Sequence, residues 1–359
     1  MVSVARRLTL STIYLHLTTR CNLRCAFCAI PNRNAALQEL NAREVESLVD
    51  EAKGLGTTYI VLIGGEPFVR EDIGEIGSYI VSRGIRLGVS TNGTLLARGA
   101  LAWTDDLPRS MFFFGISLDG ACAATHDALR GVPGSYERAM GGIRVARHLG
   151  IATVLQTVMQ RANADEILAI AELAASFGAK YSVIPEIMPK GAGEKASSGN
   201  LSIREIIAKA REVHSVASRL GIEAGVNLPP ALLSPERFGK ASMPCHWAKH
   251  FCGIMPNGDV AMCHGCDSCQ MVGGDLFTAG NVRLGSLSEI WRSSSVFGML
   301  RALNPDSLEG VCGRCVIRIY CRGYCRVRAY LDCGSLLGPE SLCQAAYEEG
   351  LFPRYMLER

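Results

Sequence analysis

Cysteine is the residue type here whose spacing can do chemistry: the 359-residue chain has 15. Cys21, Cys25 and Cys28 lie in the run CNLRCAFC, at C-x3-C-x2-C spacing. A second group is Cys245, Cys252, Cys263, Cys266 and Cys269, and a third is Cys312, Cys315, Cys321, Cys325, Cys333 and Cys343, which leaves Cys122 alone. An odd total excludes a framework in which every cysteine is paired within one chain. In a reducing compartment, thiolates at such spacings bind metal more often than each other. Three thiolates can hold three irons of a [4Fe-4S] cube, whereas electron carriers use four, so the fourth iron stays open to an outside ligand. Zinc is the competing metal: a distant fourth ligand would complete the first site, and C-x2-C pairs also build zinc ribbons.

Other polar runs fall where strands should end. In IGGEPFVR, Gly64, Gly65, Glu66 and Pro67 would let a ligand approach the main chain and offer a carboxylate to an ammonium, or make only a turn. STNG (Ser90, Asn92) and SLDG (Ser117, Asp119) carry small hydroxyl, amide and carboxylate groups suited to sugar hydroxyls. Arg130 in HDALRG suits a carboxylate. Asn92 as a turn residue and Asp119 as a helix cap are the plainer readings.

The elements that must position these groups form a repeating pattern. Six β-branched or aromatic runs, LTLSTIYLHL, TTYIVLIG, IRLGVST, MFFFGISL, IATVLQTVM and AKYSVIPEI, alternate with helical segments. Several of those segments end in a glycine: Gly56, Gly84, Gly150 and Gly178. Successive βα units make a parallel sheet, and six of them suit a partial (β/α)6 TIM-like barrel, with chemistry on the loops at the strands' C-terminal ends. The expected domains are a barrel over 8–190, a linker and bridging helix over 191–228, and a small Cys-rich domain over 229–350. The last has little continuous core and would need metal to hold it. Within it GIMPNGDVAMC reads as a hairpin and SLSEIWRSS as a helix start.

Composition narrows the field. Lys+Arg 37 against Asp+Glu 34 gives a net charge of +3, without the basic footprint that a nucleic-acid partner calls for. No stretch of about 18 apolar residues is present, so no membrane span is expected, and the chain reads as cytoplasmic. The segment Val311–Tyr330 holds Arg314, Arg318, Arg322, Arg326 and Arg328 without an acidic residue. Such cations would offset the negative charge of a thiolate-ligated cube or hold a substrate carboxylate. His16, His126, His148 and His214 read as packed or surface residues.

CNLRCAFC resembles the signature of the radical S-adenosylmethionine (radical SAM) superfamily, and GGEP, STNG and SLDG fall where that family places SAM contacts. The resemblance implies that Gly64, Gly65, Glu66 and Pro67 receive the SAM amino group. It puts Ser90, Asn92, Ser117, Asp119 and Arg130 near ribose and carboxylate, and Phe27 beside adenine. Cys245, Gly258, Cys263, Cys312, Cys315, Cys321, Cys325 and Cys343 reproduce the seven-cysteine pattern of the SPASM domain. By that resemblance Cys245, Cys252, Cys263 and Cys325 ligate one auxiliary cluster, and Cys312, Cys315, Cys321 and Cys343 another, with Cys266 or Cys269 able to replace Cys252. Three [4Fe-4S] clusters and SAM are then the cofactors. His264 stands where related maturases carry a proton-accepting Asp, with Asp267 and Asp259 as fallback bases.

The implied reaction is one-electron cleavage of SAM to methionine and a 5′-deoxyadenosyl radical, which abstracts a substrate hydrogen inside the barrel. The auxiliary clusters would accept the electron left on the substrate. A crosslink, dehydrogenation, oxidative decarboxylation or epimerisation would follow. The expected substrate is a ribosomal peptide or protein side chain, and second a small molecule such as a sugar or porphyrin acid. Only about ten residues precede the first strand, so a separate peptide-recognition protein is expected, along with a flavodoxin- or ferredoxin-type electron donor.

Overall fold

The computed structural model describes residues 8–30, 38–96, 101, 103, 108, 112–233, 248–266 and 277–358; Cys245, Asp267 and Cys269 lie outside the described residues. Its strands are β1 (Thr12–His16), β2 (Tyr59–Ile63), β3 (Arg86–Thr91), β4 (Phe112–Ser117), β5 (Ala152–Val158), β6 (Lys180–Ile184), β7 (Ala224–Val226), β8 (Phe251–Ile254), β9 (Asp259–Ala261) and β10 (Thr278–Asn281). They form one sheet in the order β10-β9-β8-β1-β2-β3-β4-β5-β6-β7. Pairing is parallel from β8 through β1 to β7, and antiparallel from β8 to β9 and from β9 to β10.

The six expected strands are β1 to β6, and the fold is a partial α/β barrel. Two additions lengthen it. β7 extends the sheet beside β6, and β8, from the Cys-rich region, pairs with β1 in register from Thr12↔Phe251 to Leu15↔Ile254. β7, at three residues, is too short to carry an alternation legible in sequence, and β8 is legible only as one arm of a hairpin, not as a neighbour of β1.

The helices of the first half are α1 (Ala42–Gly54), α2 (Ile73–Ser82), α3 (Ala123–Arg130), α4 (Ser135–His148), α5 (Ile167–Ser176), α6 (Gly193–Ala196) and α7 (Ile203–Leu220). Capping boxes at Asn41/Glu44 and Ser202/Glu205 start α1 and α7. Gly56, Gly84, Gly150 and Gly178 have positive φ, as helix-ending glycines require. The stripe Ile203, Ile206, Val213 and Val216 of α7 is buried, and the helix packs on α5 and β7. Within 191–228, read as a linker and bridging helix, α7 is that helix, and β7 after it continues the sheet beside β6.

Alternation within the strands separates two faces. Leu87, Val89 and Thr91 of β3 and Phe112, Phe114 and Ile116 of β4 are buried under the helices. Their neighbours Ser90 and Ser117, with Gln156 of β5, face the lumen and stay half-buried. The Ser90 hydroxyl donates to Gln156 Oε1 across the lumen face (3.2 Å), over Gly115, where any Cβ would lie 2.9 Å from that oxygen.

The Cys-rich region opens with the β8–β9 hairpin, as expected from its sequence, and continues in α8 (Leu287–Ser293), α9 (Ser295–Ala302), α10 (Gly310–Gly313), α11 (Arg318–Cys321), α12 (Arg326–Cys333) and α13 (Ser341–Glu348). Trp291 of α8 is fully buried and donates its indole N–H to the Leu8 carbonyl (3.0 Å), tying this region to the start of the barrel.

Candidate functional site

The loop after β1 carries Cys21, Cys25 and Cys28 at the C-terminal mouth of the barrel. Its path is fixed by glycines on neighbouring loops. A Cβ at Gly64 would sit 2.4 Å from the Thr18 carbonyl oxygen, and one at Gly65 would sit 2.2 Å from that of Arg20. The GG pair therefore admits the cysteine loop itself, a role that the ligand-approach reading did not anticipate. On the other side Arg24 and Ala26 donate backbone N–H groups to the Arg130 and Leu129 carbonyls at the end of α3 (both 3.0 Å). Ala192 N–H reaches the Cys28 carbonyl (2.9 Å).

The three thiols are electrostatic neighbours. Burial, with Glu66, Cys25 and Cys28 adding to it, pushes the Cys21 thiol up to about 11. Thiols so placed become thiolates only against a cation, which is what the irons of a cube supply. The donor set thus fits an iron–sulfur cluster. Among the described residues no group of three His, Cys, Asp or Glu closes on a single metal ion; a cube, each cysteine on its own iron, does not ask for one.

Around the thiols the expected SAM-contact residues are brought together, and several are engaged with one another. Glu66 is fully buried. It accepts from Thr91 Oγ1 (2.7 Å), Asn92 N (2.7 Å) and Phe68 N (3.1 Å), and burial raises its carboxyl. It thereby ties the ends of β2 and β3. Pro67 begins the 3-10 turn that follows. Asn92 Nδ2 donates to Asn22 Oδ1 (2.8 Å) and approaches Cys21 Sγ (4.0 Å). Asp119, fully buried, forms an ion pair with Arg130 and accepts from Val158 N (2.8 Å). Arg130 Nη1 lies 3.7 Å from Cys25 Sγ, and the guanidinium sits 5.5 Å from the centroid of the Phe27 ring. Arg130 and Phe27 therefore meet each other beside a thiol.

Facing the lumen near this mouth is Tyr14 of β1, whose ring lies 4.4 Å from that of His264, centroid to centroid, and 5.9 Å from that of Phe251. His264 is exposed, in the 3-10 turn His264–Cys266 after β9. The space over Gly253 on this face is filled by the Cys263 backbone, 2.7 Å from where a Cβ would be. Cys252, one residue earlier in β8, points the other way. It is fully buried in the core, with Arg301 as its charged neighbour, and burial drives its thiol far up. Cys263 and Cys325 are instead electrostatic neighbours, Cys325 being pushed up to about 12 mainly by burial and then by Cys263. The structure brings Cys263 and Cys325 together, while the Cys252 side chain lies on the opposite face of β8.

Cys312, Cys315, Cys321 and Cys343 line one cavity with Val311, Phe352 and Glu340, about 290 Å³ with its open mouth included. Glu340 N donates to Cys312 Sγ (3.3 Å), and Glu340 Oε2 accepts from Cys343 N (2.9 Å). Of the five arginines singled out, Arg326 is a charged neighbour of Cys312, and the Arg328 N–H donates to Cys325 Sγ (3.4 Å). Arg318 is committed to Asp306 (2.8 Å) and Glu358.

Sequence reasoning missed Asn22, which donates to Thr94 Oγ1 (2.8 Å) as well as meeting Asn92; its place inside the cysteine motif was the available signal. It also missed the loop after β6, where Glu186, Met188 and Lys190 reach the Cys-rich region, and there no motif marks them.

An open parallel barrel with three clustered thiols at its mouth, backed by a cavity lined with four more, defines an iron–sulfur protein of the α/β-barrel class. Comparison with known proteins agrees. Residues 15–174 match the profile of the Radical SAM superfamily, and residues 245–316 match that of the SPASM iron-sulfur cluster-binding domain. An AdoMet-dependent heme synthase of Methanosarcina barkeri is 30% identical over 354 residues, covering 91% of this chain and 94% of that protein. Mycofactocin maturase MftC of Mycobacterium tuberculosis is 29% identical over 359 residues, covering 94% and 84%. The crystal structure of Streptococcus suis SuiB bound to S-adenosylmethionine superposes with a TM-score of 0.76 at 17% identity, covering 94% of this chain and 78% of that one. The chain belongs to the radical SAM superfamily and carries a SPASM domain, which imply [4Fe-4S] clusters and SAM as cofactors. No described helix is long and apolar enough to cross a membrane.

Proposed function

We propose that this protein is a radical SAM oxidoreductase that removes a hydrogen atom and then an electron from a substrate held at the barrel mouth. The carrying observation is that Cys312, Cys315, Cys321 and Cys343 line one cavity while Cys21, Cys25 and Cys28 share another site. When bound, SAM and the clusters supply the radical and the electron sink, so that loss of a proton or of CO2 closes the two-electron oxidation. Cys21, Cys25 and Cys28 hold the SAM-binding cluster, and the cavity thiols hold one auxiliary cluster. Cys263 and Cys325, with Cys245, hold the other, and Cys252 on the far face of β8 is left out of that set.

The chain's own groups arrange the rest. Asn92 and Asn22 steady Cys21, Arg130 places a cation on Cys25, and Ser90, Ser117 and Gln156 present polar groups to the lumen. His264, beside Tyr14, is the base that takes the substrate proton, with Asp267 following it in the chain. A one-electron donor of the flavodoxin or ferredoxin type serves the reaction in the cytoplasm.

For the substrate, the heme synthase relative supports a tetrapyrrole carboxylic acid, and we favour it because reciprocal coverage is broadest there: 91% of this chain and 94% of that protein. The maturase relative supports the peptide reading, in which a separate recognition protein presents the peptide.

Anaerobic reconstitution tests the reaction: about twelve irons per chain and dithionite-dependent release of 5′-deoxyadenosine from SAM are expected. Zinc-loaded protein that never cleaves SAM overturns the reading. Titration with an iron porphyrin bearing carboxylate side chains tests the substrate class. A shifted Soret band with faster 5′-deoxyadenosine release supports the tetrapyrrole, and an unmoved band removes it.

A further inference from the structure

The loop after β6 touches the surroundings of both thiol regions. Ile187 packs with Cys25 and Phe27, and a Cβ at Gly191 would sit 2.8 Å from the Cys28 carbonyl oxygen. Toward the Cys-rich region, Lys190 Nζ donates to the Gly265 carbonyl (2.7 Å), and Met188 Sδ lies 3.8 Å from Arg328 Nη1. The strongest link is Glu186. Both its carboxylate oxygens are taken by Arg328 of α12, Nη1 to Oε1 at 2.8 Å and Nη2 to Oε2 at 2.9 Å, with the two side chains 14% and 11% exposed.

Arg328 uses every face of its guanidinium. Nε donates to Asp332 Oδ2 (2.8 Å), while its backbone N–H donates to Cys325 Sγ (3.4 Å). Beyond Arg328 lies Glu340, fully buried, with Arg326 and Arg328 as its cationic neighbours and Cys312 and Cys343 on its other side. Glu186, Arg328, Glu340 and Arg326 thus form a buried run of alternating charge from the barrel mouth past Cys325 to the thiol-lined cavity. Such a run is costly to bury unless each charge is paired, and a bidentate Arg–carboxylate pair is the geometry that holds it in place.

We propose that Glu186 and Arg328 are positioning residues that fix Cys325 against the barrel loop and set the reduction potential of the auxiliary cluster on Cys325. The inference rests on the cluster assignment above. In a dry interior a charge beside a cluster acts on it with little screening. A cation favours the reduced, more negative form and an anion disfavours it. The two members of one clamp therefore push the potential in opposite directions, which a role in shape alone does not do.

The test is an EPR-monitored redox titration of the reconstituted full chain with Cys21, Cys25 and Cys28 changed to Ala, so that only auxiliary signals remain. It is run at pH 8, because burial, helped by Glu340 and Asp332 and opposed by Arg328, pushes the Glu186 carboxyl up to about 7. Glu186→Gln is expected to raise the potential of one auxiliary signal, and Arg328→Gln to lower the same one. Arg328→Lys restores it most of the way. Shifts of equal sign in the two Gln variants, or none, overturn the clamp. If Arg328→Gln fails to fold, the near-isosteric Glu186→Gln decides alone: an unmoved or lowered potential overturns the clamp. Parent protein that takes up no auxiliary iron overturns the cluster assignment instead.

Discussion

At the residue scale the barrel mouth is held by buried charges, Asp119 wholly and Arg130 almost wholly out of water. Asp119 and Arg130 are each other's main compensation, and removing one strands the other. Asp119→Asn is expected to cost about 3 kcal/mol or more, since an uncompensated buried cation is worse than the neutral pair; chemical denaturation followed by barrel circular dichroism measures it. His126 adds a pH dependence. Its Nδ1 accepts the Asp119 N–H (3.2 Å), so the ring is neutral, and burial, with Arg130 adding to it, lowers its pKa from 6.5 to about 3. Between those values the unfolded chain binds a proton that the folded one refuses. Stability is therefore full above pH 6.5 and falls as pH drops toward 3. His126→Gln, which keeps an acceptor but does not titrate, should flatten the decline; melting temperatures of both proteins from pH 7 to pH 5 decide it.

At the element scale the loops act through close backbone contacts. Gly65→Ala would drive a Cβ into the Arg20 carbonyl, 2.2 Å away, and that backbone cannot yield without moving the cysteine loop. The expected outcome is loss of about four irons per chain with the auxiliary clusters retained, read by iron analysis and EPR. Gly54→Ala at the end of α1, where a Cβ meets nothing within 4 Å, is the control and should be neutral or slightly stabilising. This contrast marks what the sequence could convey. The strands β1 to β6 were legible as β-branched and aromatic runs because a parallel sheet covered by helices buries most of each strand, as in β2 to β4, and the cysteine spacings were legible because ligands of one cluster recur at fixed intervals. The purpose of Gly64 and Gly65 was not, since the chain they admit lies more than 40 residues upstream and only folding brings it there. For Cys252 the spacing allows a ligand, whereas the direction of its side chain follows from strand alternation in β8 and shows only in the fold. Glu186 carries no local pattern, because its partner is 142 residues away.

At the scale of the whole molecule, the two halves share a core but differ in the length of their helices. One buried core runs from the barrel under α1 to α5 and α7 into the Cys-rich half, where Trp291, Phe297, Val327 and Phe352 belong to it, so the expectation of little core there is corrected. Around Cys312–Cys343 the helices run from four to eight residues, too short to persist by their own hydrogen bonds. Their buried thiols set the direction of a further pH effect. Burial pushes the Cys321 and Cys325 thiols up to about 12 from an ordinary value of 9. In protein stripped of iron, the unfolded chain loses these protons between pH 9 and 12 while the folded chain keeps them. The thiols thus stabilise the iron-free fold fully only below pH 9, and that contribution disappears as pH rises toward 12. Bound iron replaces the protons, so the reconstituted protein should not share the decline. Chelated protein is therefore expected to be cut by protease within 305–358 at pH 9.5 much faster than at pH 7.5, with the barrel fragment surviving at both. Reconstituted protein should resist equally at the two values, and equal cleavage rates for the chelated protein at both would remove the buried thiols as the cause.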